Sequence, residues 1–465
     1  MTKRPTWAAT SARLVGGTVA AVALVAGTVT AAAVVWPTHD REPVSVLAVP
    51  APSESVAACP GGLLAIGRDA GVAAAVTLVT APRVVFDTGA GQPEATAEPL
   101  VAPAVADSTP DAFTAPPAGA TRTDLVAATS ATVAAEDLSG FAAASCLPPL
   151  LESWIVGGAT ATGYSGLLLL SNPGSVPADV QITAYGAAGP QSPPAGRLVV
   201  APGTQRVVPL AALARDEKSP VLQVISTGAP VQATLQSSIT RTLLAGGVDQ
   251  VAPVIAPETE QTIPAVVVTA PPGVEGASDP ATIVRLLAPS TSSAATVTVR
   301  SAGQTVSTSE VPLQAGVPLE LDLGGLEVGT YSVHVQSDAA VVAAVWSTTG
   351  FGEGDDFAWH AAAPRVEGAT LVAVAAGPSP TIAIANDGAD AVAVSLTADA
   401  GAGAAEEISV PAGSTVRVAV DPERVYRLEA SGPVRAAVGY TGDGALASYP
   451  LWPADAAASP LLVHP

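Results

Sequence analysis

The densest cluster of reactive side chains in this sequence is Glu353–His360, which reads Glu-Gly-Asp-Asp-Phe-Ala-Trp-His. Carboxylates and an imidazole are the groups that bind Ca²⁺ or transfer protons in acid–base catalysis. The spacing, however, matches no EF-hand loop. The other interpretation is an acidic, solvated connection between strands, because similar Gly- and Asp-containing segments recur near Asp249 and Asp443. We favour the solvated connection.

The four histidines do not suggest a site. His39 and His464 lie near the two ends of the chain, and the alternation around His334 predicts that it points to solvent. The sequence contains no HExxH zinc motif, nucleophile elbow, Walker loop or dinucleotide fingerprint. We therefore expect no enzymatic activity, no catalytic residue, no metal and no cofactor.

Tryptophans are the residues that a saccharide-binding platform would need in a cluster. Here they are far apart in sequence, so each is expected in the core or at the edge of its own domain. The four in question are Trp154, Trp346, Trp359 and Trp452.

The two cysteines, Cys59 and Cys146, predict a disulfide. In an oxidising compartment a pair of cysteines is more often bridged than free, and two isolated thiols lack the further ligands of a zinc site. The bridge would close a loop of about 87 residues, which the chain-entropy model values at ~4–5 kcal/mol.

The N-terminus carries an apolar run, Leu14–Trp36, preceded by Lys3, Arg4 and Arg13. A helix of about 23 residues spans the hydrocarbon core of a bilayer, and the positive flank is expected to stay cytoplasmic. We predict a single-pass anchor in the cell membrane, with everything after it extracellular. The alternative is secretion after cleavage of a signal peptide near Ala31.

Composition limits the class of protein and of partner. The 465 residues are 49% apolar but only 4% aromatic, which favours several small β-domains with aliphatic cores. The net charge of −21 makes nucleic acid a poor partner, because no basic stripe exists to release counterions. The sequence does not indicate the oligomeric state.

Leu167–Gly189 is the clearest copy of a unit that occurs three times. Each copy has a strand ending in a turn, an alternating strand, a Gly turn with a strand, and a pair of strands around a tight turn. The first of these landmarks lies at Leu168–Gly174, Val284–Ser290 and Ile382–Gly388. In the first copy, Asn172-Pro173-Gly174 is interpreted as turn chemistry rather than as a site.

Alternation of apolar and polar residues within these units predicts half-buried antiparallel strands. The fold class is therefore all-β, with tandem immunoglobulin-like antiparallel β-sandwich domains after a single N-terminal transmembrane helix. Tyr331 and Tyr426 each open a strand and are either tyrosine corners or ordinary core or rim residues. Apart from the anchor, helix is expected only as a turn at Leu210–Arg215.

The region before the repeats is predicted less regular. Val72–Asp87 forms one or two strands, Gly89–Arg122 a loop or partly disordered segment, and Asp124–Ala135 a strand pair; prolines 43, 50 and 52 mark a short stalk. The predicted organisation is cytoplasmic N-terminus 1–13, transmembrane anchor 14–36, stalk and partly irregular β region 37–149, and β-sandwich units 150–258, 259–363 and 364–465.

A family resemblance covers most of the chain after the anchor. Cys146-Leu-Pro, Trp154-Ile-Val-Gly-Gly158 and Leu167–Gly174 with its following strand and Val-Ala-Pro-Gly turn resemble actinobacterial membrane-anchored or secreted proteins, the domain of unknown function family 5719. The resemblance implies an exported, anchored, envelope-facing protein. It brings no activity and no site residues with it.

Two functions are consistent with these features. The first is a non-catalytic cell-envelope scaffold or protein-interaction module held at the bilayer by its helix. The alternative is a receptor for an envelope polysaccharide or another ligand. An enzyme of unrecognised type is the third and weakest hypothesis, because a β-sandwich can host a site but does not imply one.

Overall fold

The structure is a computed structural model that describes residues 7–33, 46–48, 52–68, 71–72, 74–106, 108–241, 244–269, 281–453 and 461–463. The chain divides into two compact units. One contains residues 1–49 and 460–465, and the other contains residues 50–459. His39, His464, the stalk prolines Pro43 and Pro50, and Trp36 at the end of the predicted anchor lie outside the described residues.

The smaller unit holds the apolar helix α1, Trp7–Ala33, and strand β1, Val46–Ala48. β1 pairs antiparallel with the last strand of the chain, Leu461–Val463. The helix is long and apolar enough to cross a membrane or to serve as a signal sequence. It begins seven residues before Leu14, and neither proline nor glycine lies between Pro5 and Leu14 to prevent this.

The larger unit begins with nine short strands that form three small sheets. The sheets have the orders β2-β8-β6, β3-β4-β7 and β10-β9-β5. Their bounds are β2 Ser55–Ala58, β3 Leu63–Ile66, β4 Val76–Thr80, β5 Arg83–Thr88, β6 Thr96–Pro99, β7 Val105–Ala106, β8 Asp111–Ala115, β9 Leu125–Ala134 and β10 Ser139–Cys146.

Two predictions for this region are wrong. Gly89–Arg122 is not a loop, because β6, β7 and β8 lie within it: β6 pairs with β8, and β8 and β7 pair with the earlier strands β2 and β4. Asp124–Ala135 is one strand, β9, rather than two, because β10 and β5 occupy its two edges. The strands β2, β4 and β5 are partners from earlier in the chain, and such pairing leaves no local periodicity in the strands that they meet. The Cys59–Cys146 disulfide is confirmed and is buried.

Three β-sandwiches follow and share one topology. The strands of the first are β11 Glu152–Val156, β12 Tyr164–Asn172, β13 Ala178–Gly186, β14 Gly189–Gln191, β15 Arg197–Val200, β16 Thr204–Pro209, β17 Val221–Thr227, β18 Gln232–Arg241 and β19 Leu244–Val251. One sheet has the order β11-β17-β13-β14, with β15 also on β13, and the other has the order β16-β12-β18-β19. A short helix, α2, occupies Leu210–Leu213, as predicted, and a 3₁₀ turn occupies Pro194–Gly196.

The second and third sandwiches repeat this order. The strands of the second are β20 Glu258–Val268, β21 Thr282–Leu287, β22 Ser293–Ser301, β23 Gln304–Leu313, β24 Leu319–Asp322, β25 Gly329–Thr348 and β26 Phe357–Ala361. The strands of the third are β27 Arg365–Val374, β28 Thr381–Ala385, β29 Val392–Ala398, β30 Ala405–Val410, β31 Thr415–Ala419, β32 Arg424–Gly442 and β33 Ala445–Pro450, with a 3₁₀ turn at Asp399–Gly401. The all-β prediction is confirmed.

The strand pair predicted at the end of each unit exists only in the first sandwich. There Gly228 adopts φ +85° and separates β17 from β18. In the other two sandwiches the same course is one long strand, β25 or β32, whose first half joins one sheet and whose second half joins the other. A strand without a left-handed residue at this point continues extended and links the two sheets.

The run Leu167–Leu170 shows why the first repeat is so apolar. Leu168 and Leu170 face the core of the first sandwich, whereas Leu167 and Leu169 pack against Leu64 of the preceding region. Because both faces of this strand are buried, four consecutive positions are leucine. Burial of each side chain contributes roughly 1.5–3 kcal/mol to the free energy of unfolding.

Buried polar side chains fix the turns of the sandwiches. Asn172 donates to the carbonyls of Val176 and Val200, at 2.8 and 3.0 Å, and accepts from the Gly174 amide, as expected of turn chemistry. Asn386 makes the equivalent three hydrogen bonds in the third sandwich. Ala288 occupies the position in the second.

Both tyrosines at the start of the long strands form tyrosine corners. The Tyr331 hydroxyl donates to the carbonyl of Glu327, at 2.8 Å. The Tyr426 hydroxyl accepts from the amide of Asp421, at 2.9 Å. Each ring thereby ties the strand to the backbone a few residues upstream, as in immunoglobulin-like sandwiches.

The three sandwiches and the preceding region meet at a buried carboxylate. Asp356 is 0% exposed and accepts hydrogen bonds from the backbone amides of Phe141, Val248 and Leu446, at 2.9, 3.1 and 3.2 Å. Those amides belong to β10, β19 and β33, which lie around β26. We call Asp356 and these three amide donors the central junction.

Candidate functional site

A cleft of about 250 Å³ opens between the first and second sandwiches. Its walls come from the segment between β11 and β12, from β18, and from β21, β24, β25 and β26. We call it the inter-sandwich cleft. Its functional side chains are those of Tyr164, Lys218, Arg241, Arg285, Trp346 and Trp359, with Glu320 beside Arg285.

The floor of the cleft is a buried arginine. Arg285 is 2% exposed; its guanidinium pairs with Glu320 at 2.6 Å and lies 4.4 Å from the centre of the Trp359 ring. It also donates to three backbone carbonyls of the first sandwich, those of Gly158, Pro220 and Lys218. Arg285 therefore joins the two sandwiches, because a buried guanidinium needs all its donors satisfied.

Aromatic side chains from the second sandwich line the same cleft. Trp346 and Trp359 are directly opposed in the β25–β26 pair and are 8% and 4% exposed. Phe357 lies beside Trp346, with ring centres 6.1 Å apart. Both tryptophans are core residues of their own sandwich, as predicted, and the β25–β26 hairpin also places them side by side.

Lys218 stands on the rim of the cleft on a loop that is held in place. Glu217 accepts from the amides of Ala187, Lys218 and Ser219. Thr160 donates to and accepts from the Glu217 backbone, and Arg285 holds the Lys218 carbonyl. Lys218 itself is exposed, but the hydrogen bonds of its loop fix the position of its backbone.

Arg241 is the second cation on the rim and comes from the end of β18. Its guanidinium lies 4.9 Å from the centre of the Phe351 ring, which belongs to the second sandwich. Its Nη1 donates to the carbonyl of Gly246, at 3.4 Å. Arg241 thus reaches from one sandwich to the other across the mouth of the cleft, with a cation–π contact orienting it.

Glu353–His360 does not form the carboxylate–imidazole site considered from sequence, nor a solvated connection throughout. Asp355 closes a turn by accepting from the Gly352 amide and the Thr349 hydroxyl. Asp356 is buried in the central junction, where burial raises its pKa well above the ordinary value while four backbone amides act in the opposite sense. The prediction of an entirely solvated segment is wrong.

His360 is equally buried and has different partners. Its Nε2 lies 2.8 Å from the Ser347 hydroxyl, and burial, with Arg417 nearby, lowers its pKa to about 3. The imidazole is therefore neutral at physiological pH and sealed from solvent. Within the described residues, no group of three or more His, Cys, Asp or Glu side chains is arranged to hold a metal ion.

His334 is not on a solvent face, contrary to the prediction. It is 8% exposed and its Nδ1 lies 3.1 Å from Asp387 of the third sandwich, which also pairs with Arg435 at 3.1 Å. The polar face of the strand is covered by a neighbouring sandwich, so alternation gave the correct face but not its burial.

Asp249 supports the cleft from behind. Its Oδ2 accepts from the backbone amide of Trp359, at 2.7 Å, and its Oδ1 has no hydrogen-bond partner among the described residues. Burial raises the pKa of Asp249 to about 7. The carboxyl is therefore protonated in acid and positions the strand that carries Trp359.

Sequence reasoning missed the residues that make the cleft. Arg285 lies in an apolar strand, where a single charged residue predicts burial with partners. Lys218 is one of only two lysines in the chain. Both were visible as exceptions to composition, but only the packing of two sandwiches brings them together.

Comparison with known proteins identifies the family. The model of a family of unknown function, DUF5719, matches residues 101–421, about two thirds of the chain. The chain belongs to this family. The DUF5719 match includes all of the first two sandwiches and both walls of the inter-sandwich cleft.

Other comparisons add little to the DUF5719 membership. No curated protein matches the chain. Among solved structures, the chain is similar to the chicken CNTN1 FN1-FN3 domains, with 11% identity over 65% of this chain and 98% of that chain, at a TM-score of 0.09. A likeness at that TM-score supports no statement about this chain.

Proposed function

We propose that this protein is an exported, membrane-anchored, non-catalytic receptor of the cell envelope and that it binds its ligand in the inter-sandwich cleft. The observation that carries the proposal is the convergence of aromatic and cationic side chains from two sandwiches in one cleft. Ligand sites favour such concave, largely apolar surfaces with a few fixed polar groups between domains.

Export and anchoring are supported by two features. The apolar helix follows the basic residues Lys3 and Arg4, which favours a cytoplasmic N-terminus and an extracellular bulk. The Cys59–Cys146 disulfide is typical of proteins in an oxidising compartment. Secretion after cleavage of the helix would give the same exposure to the envelope.

The scaffold function is the second proposal, and the central junction favours it. One carboxylate bonds to backbone amides from three other strands, so the sandwiches are held together rather than strung on flexible linkers. A rigid body of this kind can present the cleft at a fixed position. The two proposals are therefore compatible.

Retention on isolated cell envelopes tests the receptor proposal. The full-length chain in detergent is incubated with envelope fragments and compared with Ala161→Trp, which fills the cleft, and Ala188→Trp, which adds the same side chain to an exposed turn of the same sandwich. We expect wild type and Ala188→Trp to be retained and Ala161→Trp to be lost. Equal retention of all three would contradict the proposal.

The absence of catalysis is tested on the same material. We expect envelope glycans and peptides to be unchanged in mass after incubation with the purified chain. Hydrolysis or modification that disappears in Ala161→Trp would instead make the cleft a catalytic site.

A further inference from the structure

We propose that the ligand of the inter-sandwich cleft is a sugar ring that carries a carboxylate or phosphate group. This inference rests on the proposed function and narrows it to a chemical class. Three observations support it: the local charge, the fixed position of the rim cations, and the shape of the floor.

The charge of the cleft is opposite to that of the molecule. The chain has 40 acidic and 19 basic residues, yet the cleft is lined by Lys218, Arg241 and Arg285, with two carboxylates against them, Glu320 in the lining and Glu217 next to Lys218. Glu320 neutralises the buried Arg285, and the oxygens of Glu217 are bonded to backbone amides. Three cations against two carboxylates leave one net positive charge at the cleft to attract an anionic group.

The two rim cations can bind an anion in different ways. Arg241 offers a planar guanidinium, which binds carboxylate or phosphate through paired hydrogen bonds. Lys218 offers a point charge on a loop fixed by Glu217. Because the loop and the Arg241–Phe351 contact are already formed, binding an anion here orders little additional structure.

The floor and the volume favour a single small ring. The floor consists of Trp346, Trp359 and the Arg285 guanidinium over the Trp359 face. The volume of about 250 Å³ lies just below the range of pockets for drug-sized ligands. The net charge of −21 disfavours the approach of an extended polyanion, so the anionic ring is expected as a terminus or branch.

Matched small sugars test the inference directly. Glucuronic acid, glucose 6-phosphate and glucose share one ring and differ in the anionic group, and the first two separate the carboxylate source from the phosphate source. Their binding to the full-length chain in detergent is measured by saturation-transfer NMR and titration. We expect at least one anionic sugar to bind about tenfold more tightly than glucose, with affinity falling as salt is added.

Variants of the two rim cations test whether these side chains cause the preference for anionic sugars. Lys218→Gln with Arg241→Gln removes both cations, and we expect about tenfold or greater loss of affinity for the anionic sugar. Arg197→Gln removes an exposed arginine of the same sandwich outside the cleft and should bind like wild type. A thermal melt of each variant confirms that it is folded.

Several results would overturn the inference: glucose binding as tightly as both anionic sugars, neither anionic sugar binding, or the double variant retaining wild-type affinity. If any of these occurs while envelope retention still depends on an open cleft, as judged by Ala161→Trp, the receptor function stands and only the anionic class fails. If Ala161→Trp has no effect on retention, the receptor function itself fails.

Discussion

Asn172 and Asn386 occupy the same turn in the first and third sandwiches. Each side-chain amide makes three hydrogen bonds, all of them to backbone atoms. The turn was visible in the sequence as Asn-Pro-Gly, but the reach of the side chain to Val200 was not. That contact depends on a strand about 28 residues away, which local turn chemistry does not specify.

Replacing Asn172 tests the value of this turn. Asn172→Ala leaves the buried carbonyl of Val200 and the more exposed carbonyl of Val176 without their donor, so we expect the free energy of unfolding to fall by about 1–3 kcal/mol. Chemical denaturation measures the change. Ser290→Ala, in the same turn of the second sandwich, is the control and should change stability by less than about 0.5 kcal/mol.

Asp249 gives a prediction about pH. Its pKa is about 7 in the folded chain, against an ordinary value of 3.8, because burial disfavours the charged form. The folded state thus binds the proton more tightly than the unfolded state. The resulting stability is fully present below about pH 4 and is lost as the pH rises to about 7.

Asp249→Asn removes this dependence while keeping the acceptor for the Trp359 amide. Between pH 4 and pH 7 we expect the wild type to lose stability relative to the variant, by up to roughly 4 kcal/mol. Denaturation at a series of pH values measures it. Asp443→Asn, an exposed carboxylate in the corresponding segment of the third sandwich, should follow the wild-type curve.

At the scale of elements, alternation predicted the strands of the sandwiches well and the region before them poorly. Strands such as β22 and β29 alternate because one face is buried in their own sandwich. The short strands β6, β7 and β8 lack that signal, because each has at most five residues and their pairing reaches β2 and β4, earlier in the chain.

The disulfide is expected to stabilise this first region. Cys59→Ser with Cys146→Ser frees a loop of 87 residues, so the free energy of unfolding should fall by about 4 kcal/mol. Denaturation with and without a reducing agent measures it. Reductant should lower the stability of the wild type toward that of the double variant and leave the double variant unchanged; equal stability without reductant would refute a structural role.

Gly247 lies in β19, directly against the carboxylate of Asp356 in the central junction. It has φ +113°, and an added Cβ would lie 2.7 Å from Asp356 Oδ1. We expect Gly247→Ala to destabilise the chain by about 3 kcal/mol or more, through both backbone strain and displacement of the carboxylate.

Gly203→Ala is the matched control for Gly247→Ala. Gly203 has φ +63°, and a Cβ added there would meet no atom within 4 Å. This substitution should therefore lower the free energy of unfolding only through backbone strain, by about 1 kcal/mol. Thermal and chemical denaturation compare the two variants. Equal losses would mean that crowding at Asp356 contributes nothing.

At the scale of the whole molecule, the repeats predicted what each sandwich is but not how the sandwiches meet. The recurring Gly- and Asp-containing segments marked the central junction, yet they were interpreted as solvated because burial by a neighbouring sandwich leaves no local pattern. The inter-sandwich cleft arises in the same way: Lys218 and Trp359 are far apart in sequence, and only the packing of two sandwiches brings them into one cleft.

The most direct test of the account locates the bound ligand on the molecule. Hydrogen–deuterium exchange of the full-length chain is measured with and without soluble fragments of the cell envelope. We predict slower exchange in residues 158–164, around Lys218 and in the last residues of β18, with other surfaces of the described residues unchanged. Protection confined to surfaces away from the inter-sandwich cleft, or no protection anywhere, would contradict the account.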